Sequence, residues 1–183
     1  RVVVDNGLTG TNGSIRVPSV DQRNVSRVTS TDIGSYEYNN TYATEVPTTQ
    51  SSSIVYSNVQ NSRVDLSWTS GDGTYRIAFM KAASTGTASP VDAATYAASS
   101  VFGSGDQISS TGWYTIYSGT GSSLTVTGLS PGTDYIVQVF EYNGHAAGYE
   151  AYFTDTATDN TKTQATYTPV TIYINSSTGN DST

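Results

Sequence analysis

The sequence predicts an all-β fold, a Greek-key sandwich of short antiparallel strands. Three observations carry that expectation. Apolar residues recur with period two, no long window repeats them at helical spacing, and a Pro-Gly corner followed by a tyrosine stands directly before one of the strands.

The alternation is clearest early in the middle of the chain. Val64, Leu66 and Trp68 alternate with Arg63, Asp65 and Ser67, which gives one apolar face. Ser70-Gly71-Asp72-Gly73 then reads as a turn, because glycine takes positive φ without steric cost. Tyr75, Ile77 and Phe79 alternate with Arg76, Ala78 and Met80, so the two runs read as a hairpin. Further on, Leu124 and Val126 alternate with Thr125 and Thr127, and Tyr135, Val137 and Val139 with Ile136, Gln138 and Phe140. Leu129-Ser130-Pro131-Gly132-Thr133-Asp134-Tyr135 lies between the last two runs. Pro131 and Gly132 suit a corner between sheets. Tyr135 is placed to bury its ring and return its hydroxyl to the backbone, a hydrogen bond worth about 0.5–1.5 kcal/mol net.

Composition agrees. Of 183 residues, 36% are hydrophobic and only 13% charged, with 17 glycines and 14 tyrosines, usage that fits strands and tight turns. The net charge of −7 argues against nucleic-acid partners, which need a basic surface. No apolar run reaches the roughly 18 residues of a membrane span, so membrane insertion is not expected. Without cysteine there are no disulfides and no thiolate zinc sites. Low charge with abundant Ser, Thr, Asn and Tyr points to a secreted or cell-surface location.

Trp68, the corner from Leu129 through Pro131 to Tyr135, and Val137 and Val139 after it resemble an immunoglobulin-like, fibronectin type III domain. The insert Tyr96 to Gly119, with Phe102-Gly103-Ser104-Gly105 and Ile116-Tyr117-Ser118-Gly119, resembles a bacterial subgroup, as does Phe140-Glu141-Tyr142-Asn143-Gly144. The resemblance implies a module of a large exported, multi-domain bacterial protein. Glu141 departs from the generic pattern, since a small inward residue is usual there. If it points inward it needs a partner, with Arg76 and Lys81 as candidates; otherwise it sits at the strand end in water.

The chain divides into residues 1–40, a polar linker 41–53 broken by Pro47, the sandwich 54–166, and a new strand over 167–183. Asp21-Gln22-Arg23, Arg27 and Asp32-Ile33-Gly34-Ser35-Tyr36-Glu37-Tyr38 resemble the closing segment of a right-handed parallel β-helix in bacterial surface proteins. Ile172-Tyr173-Ile174-Asn175-Ser176-Ser177-Thr178-Gly179-Asn180-Asp181 resembles the opening of another. A solenoid needs about three or more coils, so these flanks are expected to be pieces of a longer protein. Alternatively, both simply add strands or covering loops to the sandwich.

Chemistry is sparse. His145, the single histidine, has no local partner for a metal or a triad. Asp32 with Glu37, or Glu141 with Glu150, form carboxylate pairs of the type used in glycoside hydrolysis, but they fall at strand ends and turns. No catalytic residue and no cofactor is assigned, and calcium is entertained at Glu150, Asp155 and Asp159. Trp113, Tyr114 and Tyr149 are the candidate carbohydrate-stacking rings, with Tyr152 beside them; the alternative is that these rings fill the sandwich. Asp155-Thr156-Ala157 resembles an O-glycosylation acceptor centred on Thr156, and Asp181-Ser182-Thr183 fits the same pattern. The leading expectation is a non-enzymatic spacer of a surface protein such as an adhesin, whose partners are neighbouring domains of its own chain. Other surface proteins and extracellular glycans are further partners. The alternative is a carbohydrate-binding module of a polysaccharide-handling protein. A buried Trp113 favours the spacer and an exposed one the sugar.

Overall fold

The computed structural model of the chain describes residues 45–144 and 148–172. The β-helix-like strings at Asp21–Tyr38 and beyond Ile172, together with Asp32, Glu37 and His145, lie outside the described residues.

The described residues form eight strands: β1 (Ser52–Ser57), β2 (Arg63–Thr69), β3 (Tyr75–Ala82), β4 (Tyr114–Gly119), β5 (Ser123–Thr127), β6 (Asp134–Asn143), β7 (Ala151–Tyr152) and β8 (Thr161–Ala165). No helix occurs among the described residues. A three-stranded sheet runs β1-β2-β5, and a five-stranded sheet runs β4-β3-β6 with β7 and β8 on β6. All named strand pairs are antiparallel. The chain changes sheet after β2, after β4 and after β5, which is the Greek-key order of a fibronectin type III sandwich.

The expected β2–β3 hairpin does not form: β2 and β3 belong to different sheets. The turn between them is gripped from outside. Asp72 accepts from the Thr48 and Thr49 amides at 3.0 and 2.8 Å and from the Thr48 hydroxyl at 2.6 Å. A Cβ on Gly71 would stand 1.9 Å from the Thr49 carbonyl oxygen, so only glycine lets the lead-in to β1 pass this close. The linker drawn over 41–53 is corrected for the same reason. From Pro47 onward the segment is built into the sandwich, with Pro47, Gln50 and Ser51 buried and β1 beginning at Ser52.

One core lies between the sheets. Ile54, Val64, Leu66, Trp68 and Val126 meet Ala78, Met80, Ile116, Val137, Val139 and the ring of Tyr135. The Tyr135 hydroxyl accepts from the Ser130 amide at 2.9 Å, and Gly132 turns the corner at φ 61°. A second core covers the outer face of the larger sheet. There Ile77, Phe79, Ile136, Phe140, Tyr142 and Tyr152 pack against Ala88, Ile108 and Trp113 of the β3–β4 connection. This explains why Ile77 through Met80 and Tyr135 through Tyr142 are buried at every position: both faces of these two strands are covered.

The same connection seals one side of the sandwich. Thr115 donates to Asp106 O at 2.8 Å on β4, and Thr127 donates to Ser100 O at 2.9 Å on β5. Segment 97–107 thereby occupies the exposed hydrogen-bonding edges of both sheets at once, the positions where a sandwich is most open to strand addition by another chain.

Candidate functional site

The sequence-selected rings separate into different environments. Trp113 is corrected as a stacking platform, because it is 3% exposed and built into the second core. Tyr114 is half-buried, with its ring 5.3 Å from Phe102 in an edge-on contact. Tyr149 is exposed at the surface. These three side chains form no common flat surface.

The calcium set is corrected too. Asp159 lies 3.6 Å from Lys162, whereas Glu150 is buried and accepts from the Thr95 hydroxyl and, at 3.1 Å, from the Gly148 amide. Among the described residues no group of three or more Asp, Glu or His is gathered for a metal. Thr156 is exposed, as a modified hydroxyl must be.

Glu141 points inward. One carboxylate oxygen accepts from the Ser51 hydroxyl at 2.5 Å, the Gly71 amide at 2.7 Å and the Arg76 guanidinium at 3.0 Å. The partner is Arg76, not Lys81. Gln50 completes the arrangement: its side-chain oxygen accepts from the Glu141 amide at 2.7 Å while its nitrogen donates to Phe153 O. Glu141 and Glu150 sit in separate environments: the first is locked at the end of the inter-sheet core and the second lies under the β3–β4 connection.

A cavity of about 350 Å³ opens beside Glu150, lined by Thr95, Tyr96, Ser118, Tyr142 and Tyr152 with Ile77 behind. The rings form a concave wall. Tyr142 and Tyr152 are 5.1 Å apart and inclined by 41°, and Tyr96 and Tyr152 are 6.1 Å apart and inclined by 55°. The hydroxyls are fixed as well: Tyr152 donates to Ala94 O at 2.7 Å, and Tyr142 shares a 2.9 Å hydrogen bond with Ser118. Burial, and behind it the negative charge of Glu150, raises the pKa of both Tyr142 and Tyr152 above the ordinary phenol value. Sequence reasoning singled out Glu150 and Tyr152 without joining them to Tyr96, which lies 54 positions before Glu150 and carries no local motif.

These phenols, with Tyr56, whose pKa burial also raises, set the alkaline behaviour. A folded-state pKa above the unfolded one means that stability is intact below the unfolded value, about 10. It is lost as pH climbs through the higher folded values. Phenolate absorbance from Tyr56, Tyr142 and Tyr152 is expected only together with unfolding, in step with loss of the strand circular dichroism signal. Full ionisation of every tyrosine with that signal intact would contradict it.

Neither a protein-family model nor a curated protein matches the chain. Among solved structures, the chain is similar to a computationally redesigned β-sandwich protein, at 13% identity and TM-score 0.41, covering 69% of this chain and 97% of that one. It is also similar to a fibronectin type III domain of human fibronectin type III domain containing protein 3, at 17% identity and TM-score 0.40, covering 68% of this chain and 90% of that one. The sixth such domain of the same human protein is 12% identical with TM-score 0.41, covering 72% of this chain and 93% of that one. The sandwich assignment itself rests on strand order and the Tyr135 corner.

Proposed function

We propose that residues 45–172 serve as a non-catalytic, in-line spacer in a longer exported chain, holding its neighbouring domains apart. The observation that carries this reading is the path of the backbone. The chain enters at the pole where β6 ends, with Gln50 bonded to Glu141 and Phe153. It leaves at the opposite pole, where Ala165 pairs with Asp134 at the start of β6 and the Thr166 amide donates to Thr133 O at 3.0 Å. Ten residues of β6 separate the poles, about 30 Å at about 3.3 Å per residue.

Both poles are pinned, so a displacement applied to either end reaches the sandwich body through few free bonds. At the first, Asp72 and Glu141 hold Thr48, Thr49 and Ser51. At the second, the Thr166 hydroxyl donates to Ser130 O at 2.6 Å and accepts from the Thr133 amide at 3.0 Å. The exported setting is supported by the low charge and the Ser, Thr, Asn and Tyr usage.

Because the chain has no cysteine, labels can be placed at will. Spin labels at Val46→Cys and Val170→Cys, both exposed positions, should report one narrow distance of about 30 Å or more. A broad distribution, or a short distance, would overturn the spacer reading. The carbohydrate-binding alternative loses its principal ring with the burial of Trp113; saturable binding on a glycan panel would favour it instead.

A further inference from the structure

We propose that the cleft around Lys81 binds a small hydroxycarboxylate, whose carboxylate is taken by the lysine ammonium group. Four lysines and arginines lie among the described residues, and three of them face a carboxylate. Arg63 is 3.1 Å from Asp65, Arg76 is 3.0 Å from Glu141 and Lys162 is 3.6 Å from Asp159. Lys81 has no such partner among the described residues, in a chain whose net charge is −7. It is half-buried near the end of β3, one residue past Met80, which pairs with Tyr114 at the start of β4. Its stem runs past Gly112, where an added Cβ would lie 3.5 Å from the lysine Cε. From there it borders a cleft of about 490 Å³, within the usual range for a small-molecule site, roughly 300–1,000 Å³.

The rest of the rim is rich in hydroxyls. Thr87 and Ser89 come from the beginning of the β3–β4 connection and Ser109 and Thr111 from its end, and all four are exposed. The hydroxyls of Thr87, Ser89 and Ser109 make no hydrogen bond within the described residues, whereas that of Thr111 donates to Ile108 O at 2.6 Å. Neither Asp nor Glu contributes to the described lining. Trp113 and Ile108 are 3% and 4% exposed, so they close the floor and offer a ligand almost no surface. Recognition therefore rests on the polar rim. A neutral sugar finds no open ring face to stack on, and a divalent metal finds no carboxylate. A cation would meet Lys81, and a polyanion needs several cations where the cleft has one. The negative charge of the whole chain does not bar a single anion, because at physiological salt exposed charges more than about 8 Å away are largely screened. One ammonium beside several free hydroxyls matches a ligand that carries one carboxylate and several hydroxyls, with the charge-assisted bond to Lys81 as its strongest contact.

The test uses the 183-residue protein, sodium D-gluconate as probe, and D-gluconamide, which replaces the carboxylate by a neutral amide, at fixed ionic strength so that surface screening is constant. Amide chemical shifts give both affinity and location. Gluconate should bind with a dissociation constant in the millimolar range, at least about tenfold tighter than gluconamide, with shifts confined to the neighbourhood of Lys81, Thr87, Ser89 and Ser109. Lys81→Met, which keeps the stem beside Gly112, should bring gluconate down to the affinity of gluconamide and leave gluconamide unchanged. Thr87→Val, which removes one exposed hydroxyl, should weaken both ligands by about threefold or more and stands in if the Met variant does not fold. Equal affinity for gluconate and gluconamide, no saturable gluconate shift, shifts elsewhere on the sandwich, or full gluconate affinity in a folded Lys81→Met or Thr87→Val variant would each overturn the proposal.

Discussion

Replacing Arg76 with methionine should destabilise the protein by about 3–5 kcal/mol, the range seen when one member of a buried ion pair is removed. The reason is what remains. Glu141 is fully buried, and Arg76, with its side chain 12% exposed, is the cation that faces it at 3.0 Å. The guanidinium also donates to Thr120 O at 2.9 Å and Gly73 O at 3.0 Å, so it ties the turn after β2 to the turn after β4. Methionine fills comparable space but leaves a carboxylate held only by Ser51 and Gly71, and two carbonyls without their donor. Set against a typical total stability of about 5–15 kcal/mol, the loss is large. Urea unfolding followed by tryptophan fluorescence should show the midpoint fall with the slope unchanged. Adding Glu141→Gln to Arg76→Met should recover part of the loss, because a neutral amide oxygen still accepts from Ser51 and Gly71 without a buried charge. A cost below about 1 kcal/mol, typical of exposed pairs, would show that the clasp is not what holds this pole.

The legibility of the sequence follows the number of faces each strand buries. β2 and β5 bury one face, so Val64, Leu66, Trp68 and Val126 stand out by alternation. The corner at Tyr135 is legible because its geometry needs particular residues at fixed spacing. β3 and β6 bury both faces, and period-two reading there marks a strand without saying what covers it. The cover comes from the β3–β4 connection, whose Ala88, Ile108 and Trp113 lie at intervals of neither period. Ser70 to Gly73 looks like a hairpin turn on local grounds, and only the distant Thr48 and Thr49, through Asp72, make it a crossover between sheets. The Glu150 cavity is illegible for the same reason: Tyr96, Tyr142 and Tyr152 meet only once the connection folds back over the sheet.

Trp113→Ala should cost about 3–5 kcal/mol, the usual range for truncating a buried tryptophan, and the damage should be local. The ring closes the second core, near Gly86, where an added Cβ would lie 3.3 Å from it, and against Ile108, whose amide donates to Trp113 O at 3.0 Å. No fully buried member of the inter-sheet core comes from residues 83–113; Phe102 is only partly buried against it. The two cores share β3 and β6 as a wall but not their fillings. Hydrogen exchange in the variant should therefore show loss of protection at Ala88, whose amide bonds Gln138, and at Ser99, Thr115 and Thr127, while β2 retains its own. Equal loss in all of them would mean that the cores form one cooperative unit. The local outcome matters for function, because the path from Gln50 through β1 and the final β8 strand to Thr166 is held by the inter-sheet core and the two pinned poles. Under the spacer reading proposed above, a connection that can loosen without breaking that path leaves the separation of the two poles unchanged.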